Sequence, residues 1–140
     1  MGIIVNAGSR DEAADQQGMA HFIEHLIFKG TERRTNFQVL NRLENVGADL
    51  NAFTTREDTS VYVSIQERYF ARAAELLADI LFRSVFPLKE IEKEKAVVID
   101  EINSYKDNPA EWIHDEFDEL IFGGHPLGRN ILGTKELLKK

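Results

Sequence analysis

The sequence contains no cysteine. Disulfides, thiolate zinc sites and cysteine nucleophiles are therefore excluded, and the redox compartment stays open. Any metal would have to be held by histidine, carboxylate and water. Basic blocks are missing as well: the formal net charge is −7, and no nucleic-acid partner is expected. No apolar run approaches the ~20 residues that span a bilayer, so no membrane partner is expected either. The opening residues, MGIIVNAGSRDE, lack the basic region and apolar core of a secretory leader, and a cytosolic setting is the default expectation. Proline is scarce, with three residues, and there is no repeat, low-complexity segment or linker. With 140 residues, the reading is one domain, 1–140, able to bury about two thirds of its unfolded surface.

What is present has clear periodicity. Residues 2–7 are apolar and β-branched and read as a strand; polar residues 8–18 read as a loop. Residues 19–29 read as a helix, with Gly30 as its C-cap. Thr35 or Asn36 can cap a second helix that carries Phe37, Leu40 and Leu43 on one face and ends at Gly47. Residues 48–55 and 59–66 read as strands around the turn Arg56-Glu57-Asp58, with Val61, Val63 and Ile65 alternating. Residues 67–83 form an amphipathic helix. Pro87 suits the first turn of the next helix, which runs to the Asn108-Pro109 break. Residues 111–122 form a further helix with Trp112 and Phe117 in the core; 123–130 is a loop; 136–140 begins another helix. The fold class expected is α+β, an antiparallel sheet with helices packed on one face in two layers. Three strands make a thin sheet, and a fragment of something larger is the expectation.

The segment HFIEHLIFKG, residues 21–30, places His21 and His25 four apart with Glu24 between them. At about 100° per residue, the two histidines lie about 40° apart and one turn above the other, so their imidazoles can converge on one ion. Glu24 can reach a water beside it. This is the inverted H-x-x-E-H arrangement. A catalytic zinc site needs a third protein ligand. Carboxylates, His114 and His125 all compete for that place, and the helix around residues 90–103 is the best donor. On it Glu94 and Glu101 lie seven apart, on one face. They sit among apolar residues, where a carboxylate is costly without a cation or hydrogen bonds.

These residues and five longer stretches resemble the pitrilysin, insulin-degrading enzyme and mitochondrial processing peptidase family of zinc peptidases. The stretches are VNAGSRDE, GMAHFIEHLIFKGT, VGADLNAFTTREDTSVY, EKEKAVVIDEI and GHPLGRNILGT, in family order over nearly the whole chain. The family's glutamate about 76 residues after the second histidine falls on Glu101. The resemblance implies that His21, His25 and Glu101 hold one Zn2+, with Glu24 as general base. It implies that Glu94 is a supporting acid, and that Asn51, Ala52, Phe53 and Thr54 form the edge strand along which a peptide or unfolded protein segment lies. It further implies a zinc metalloendopeptidase built as a clamshell. This chain would be the zinc-bearing part of one truncated half, lacking the first strands and the C-terminal half. The second half, in the same parent chain or a partner subunit, is the implied partner.

Blander readings exist for several positions. Glu94 can pair with Lys95, Asn51 can be a strand-start residue, His114 sits on an acidic solvated face, and His125 before Pro126 suits a structural turn. Two rival functions remain: a non-catalytic structural subunit, and a zinc-binding fragment without turnover.

Overall fold

A computed structural model describes residues 1–139. Three strands, β1 (Gly2–Val5), β2 (Asp49–Thr54) and β3 (Thr59–Ser64), form one antiparallel sheet in the order β1-β3-β2. β3 is central because both neighbours pair with it: Ile3 opposite Val61 on one side, Ala52 opposite Val61 on the other. β2 therefore lies at a sheet edge. The strands alternate, although Ser60 on the outer face is also buried. Ala52, Val61 and Val63 point into the core, while Asn51, Phe53, Tyr62 and Ser64 are exposed on the other face. One face buried and one solvated is the usual state of an antiparallel sheet.

The helices are α1 (Met19–Leu26), α2 (Asn36–Glu44), α3 (Phe70–Arg83), α4 (Leu88–Lys106), α5 (Pro109–Phe122) and α6 (Lys135–Leu138). Two apolar clusters fix the first four. In the first, Val39 and Leu43 of α2 and Ala73, Leu76, Leu77 and Ile80 of α3 pack on the inner sheet face. In the second, Phe22 and Leu26 of α1 meet Val98 and Ile102 of α4. Each fully buried Leu, Ile or Val contributes about 1.5–3 kcal/mol relative to an exposed one. The second cluster is the one that matters for function, because it sets the rotation of α4 against α1.

A buried charge ties α3 to the loop after α1. Asp79 on α3 is fully buried. It accepts a hydrogen bond from the Thr31 hydroxyl at 2.8 Å and pairs with Arg34, both in the loop after α1. Arg34 also reaches Glu75 at 2.6 Å. Burial opposes ionisation of Asp79, but the Thr31 and Arg34 contacts outweigh it and hold the carboxyl below its ordinary value.

Several elements differ from the sequence reading. β1 stops at Val5, because Ala7 N–H turns back to the Val5 carbonyl at 2.8 Å. α1 ends at Leu26, and Gly30 is not its C-cap; it bridges to Thr35 instead. α2 is capped by Thr35 with a reciprocal Gln38 contact. It buries Val39 and Leu43, leaving Phe37 and Leu40 exposed. Pro87 is the N-cap of α4, one place before its first turn. α5 starts at Pro109, earlier than read, after an Asn108 cap, and Phe117 is 59% exposed rather than core. Of the helix read over residues 136–140, α6 covers the first part and Lys140 lies outside the described residues.

Candidate metal centre

α1 is built around its two ends. Glu12 folds over its N-terminus: the carboxylate accepts from Gly18 N–H at 2.9 Å and Ala20 N–H at 2.7 Å. A carboxylate is favourable where helix N–H groups are unpaired. Gly18 has φ +91°, and a Cβ there would lie 2.6 Å from the Leu132 carbonyl. Gly133 is in the same position toward Gln17, at 2.3 Å. Only glycine allows these two chain segments to cross so closely, which brings the loop around residue 132 beside the cleft.

His21 and His25 stand one turn apart with ring centroids 4.7 Å apart, edge to face. From α4, Glu101 reaches both: one carboxylate oxygen is 3.6 Å from His21 Nε2, the other 3.4 Å from His25 Nε2. One ligand atom from each of the three residues lies within 4.8 Å of the others. Ligand atoms on a tetrahedral zinc with bonds of about 2.1 Å are about 3.4 Å apart. The His–Glu separations, each to a different oxygen of Glu101, lie close to that spacing. Two imidazoles and one carboxylate also form a donor set that zinc accepts. On both counts the residues fit the ion.

The surroundings favour the same use. His25 Nδ1 lies 3.2 Å from Glu94 Oε2, and the other Glu94 oxygen is 2.8 Å from Lys29 Nζ. With Nδ1–H donating to Glu94, Nε2 presents its lone pair to the gap, the carboxylate–histidine arrangement common behind metal ligands. Glu94 is buried and pairs with His25 and Lys29, not Lys95, which pairs with Glu92. Burial, with the neighbouring His25, depresses the pKa of His21 despite the nearby Glu101 and Glu24, which disfavours its charged form.

Glu24 turns from α1 toward β2, where its carboxylate accepts from the Thr54 hydroxyl at 2.6 Å. It shares a cleft of about 380 Å³ with His21, Glu101, Phe53 and Thr54. The four β2 residues expected to contact substrate divide. Phe53 and Thr54 line the cleft. Ala52 packs into the core, and Asn51 bonds the Ala52 N–H at 2.9 Å through its own side chain. His114 is exposed at the cleft wall. His125 caps the short turn at 126–128 by accepting from Leu127 N–H at 3.2 Å.

Sequence reasoning missed the far wall. Arg56, in the β2–β3 turn, pairs with Asp115 at 2.6 Å and Asp118 at 2.9 Å on α5. Asn130 donates to Asp115. Burial pushes the Tyr105 phenol up to about 12, helped by Asp115. Pairs this far apart in sequence leave no local periodicity; the only available signal was Arg56 inside the stretch VGADLNAFTTREDTSVY.

The sequence profile described as insulinase (peptidase family M16) matches residues 1–135. The chain belongs to that family. Among its M16 relatives, an uncharacterized zinc protease of Bacillus subtilis (strain 168) is 38% identical over 138 residues, covering 99% of this chain and 34% of the relative. The beta subunit of the mitochondrial-processing peptidase of Caenorhabditis elegans is 40% identical over 139 residues, with 99% and 30% covered. The crystal structure of a protease from Helicobacter pylori superposes with a TM-score of 0.93 at 23% identity, over 99% of this chain and 34% of that one. An M16 inactive domain from Pseudomonas fluorescens superposes at 0.84 with 19% identity, over 99% and 36%. The fold is thus shared by M16 proteins with and without activity. The chain spans about a third of the length of these curated relatives.

Proposed function

We propose that this chain is the zinc-bearing core of an M16 metalloendopeptidase that cleaves peptides or unfolded polypeptide segments. The observation that carries the reading is the convergence of His21, His25 and Glu101 at metal-ligand spacing, with Glu24 of the same helix lining the same cleft. His21, His25 and Glu101 would hold one zinc ion, and Glu94 would orient His25. Bound zinc supplies a Lewis acid that polarises a carbonyl and lowers the pKa of water to about 7.

The remaining work falls to the chain. Glu24 takes the proton from the attacking water and later gives it to the leaving amine. β2 offers its outer edge, from Asn51 to Thr54, to the substrate backbone. Strand addition of this kind grips many sequences with modest side-chain preference. Residues 1–140 act as one zinc-peptidase domain, completed by a second half that excludes water and stabilises charge on the carbonyl oxygen.

Glu24→Gln tests the assignment. Gln keeps the shape and a hydrogen bond but cannot accept a proton. In the complete assembly, zinc content should match the parent's, while kcat falls about a hundred-fold to ten-thousand-fold. Turnover equal to the parent's would remove Glu24 from the base role.

A further inference from the structure

Glu24 has two carboxylate oxygens, and the structure treats them differently. Oε2 accepts from the Thr54 hydroxyl at 2.6 Å, within the short range of a hydroxyl bound to an ionised carboxylate. Oε1 has no hydrogen-bond partner among the described residues. Both side chains lie in the wall of the cleft that holds His21 and Glu101.

We infer that Thr54 is the positioning residue for Glu24: its hydroxyl fixes one carboxylate oxygen so that the other is left aimed at the attacking water. The inference rests on the reading of Glu24 as the base. A glutamate carboxylate otherwise turns over a broad torsional range about its last bond. One hydroxyl contact removes that freedom. Threonine suits the task because a β-branched side chain is stiff at χ1 and well placed on a strand. Thr54 is also held by its own pairing with Thr59 across β3, so its hydroxyl is anchored by the sheet.

The placement has a consequence for substrate. Thr54 is the last residue of the edge strand β2. A peptide added along that edge would bind beside the group that orients the base. The strand would then grip substrate with its backbone and set the proton acceptor with its last side chain.

Thr54→Val removes the hydroxyl and keeps the branched shape; Thr54→Ser keeps the hydroxyl. The first readout uses the metal-free chain, labelled with 13C at glutamate side chains, with the Glu24 carboxyl resonance identified by its loss in Glu24→Gln. That resonance should move in Thr54→Val and stay near the parent position in Thr54→Ser. An unmoved resonance in Thr54→Val would overturn the contact.

The second readout is turnover by the zinc-loaded complete assembly. Thr54→Val should keep its zinc and lower kcat about ten- to a hundred-fold, as expected for losing one hydrogen bond to a charged group. KM should stay within about twofold, and Thr54→Ser should recover most of the lost rate. An inactive Glu24→Gln beside a fully active Thr54→Val would sink this proposal alone. Turnover by Glu24→Gln would sink the base assignment and this proposal together.

Discussion

His25 has a carboxylate on each ring nitrogen: Glu94 at 3.2 Å from Nδ1 and Glu101 at 3.4 Å from Nε2. The two carboxylates have different tasks. Glu101 is 43% exposed at its side chain and faces the cleft, whereas Glu94 is 9% exposed and tied to Lys29. In the proposed reading, Glu101 shares an ion with the histidines, and Glu94 accepts from His25 Nδ1–H from behind. Glu94→Gln should therefore weaken zinc without abolishing it. Second partners of this kind typically contribute ten- to a hundred-fold in metal affinity. Competition against a chromophoric chelator would measure the change. An unaltered affinity would return Glu94 to a purely structural ion pair with Lys29.

At the scale of elements, the site depends on how α1 meets α4 and how the loop after α1 is held to α3. Asp79 provides the second link. Its folded pKa lies below its unfolded value of about 3.9, so its contribution is present above that pH and is lost as pH falls through the folded value. Stability should decline on acidification below about pH 4. Asp79→Asn should flatten that decline, and Asp79→Ala should cost about 3 kcal/mol by leaving Arg34 short of a partner. Urea midpoints measured across pH would show both effects. A slope unchanged in Asp79→Asn would mean that other carboxylates dominate acid unfolding.

The same scale shows what could be read from the chain. The H-x-x-E-H phasing on α1 and the seven-residue interval from Glu94 to Glu101 were legible because helix geometry alone turns spacing into direction. The alternation of Val61 and Val63 in β3 was legible because successive side chains of a strand point to opposite faces. α2 was not: Phe37, Leu40 and Leu43 mark a helical stripe, yet Val39 and Leu43 are the buried pair. Several apolar residues on one helix allow more than one stripe, and only the partner surface selects between them. α5 has the pattern of a core helix but no buried residue. Periodicity reports amphipathicity, not what covers the face. The Arg56–Asp115 pair joins positions 59 residues apart and exists only once the fold has formed.

For the whole molecule, the decisive fact is that the chain spans about a third of the length of its curated relatives. The proposed metal centre draws its ligands from α1 and α4 alone. The proposed cleavage further requires that substrate be held along β2 and water be excluded as charge builds on the carbonyl. Chain 1–140 alone should therefore bind zinc and hydrolyse an unstructured fluorogenic peptide poorly or not at all. Adding a second M16 half should raise the rate. Robust zinc-dependent cleavage by the chain alone would show that one half suffices.

The central claim is that one zinc ion sits between His21, His25 and Glu101. Anomalous X-ray scattering at the zinc absorption edge, from crystals of the chain grown with zinc, tests it most directly. A single strong peak is expected in the cleft, about 2.0–2.2 Å from a ring nitrogen of each histidine and from a Glu101 carboxylate oxygen. A peak held instead by His114 or His125, or no peak between α1 and α4, would contradict it.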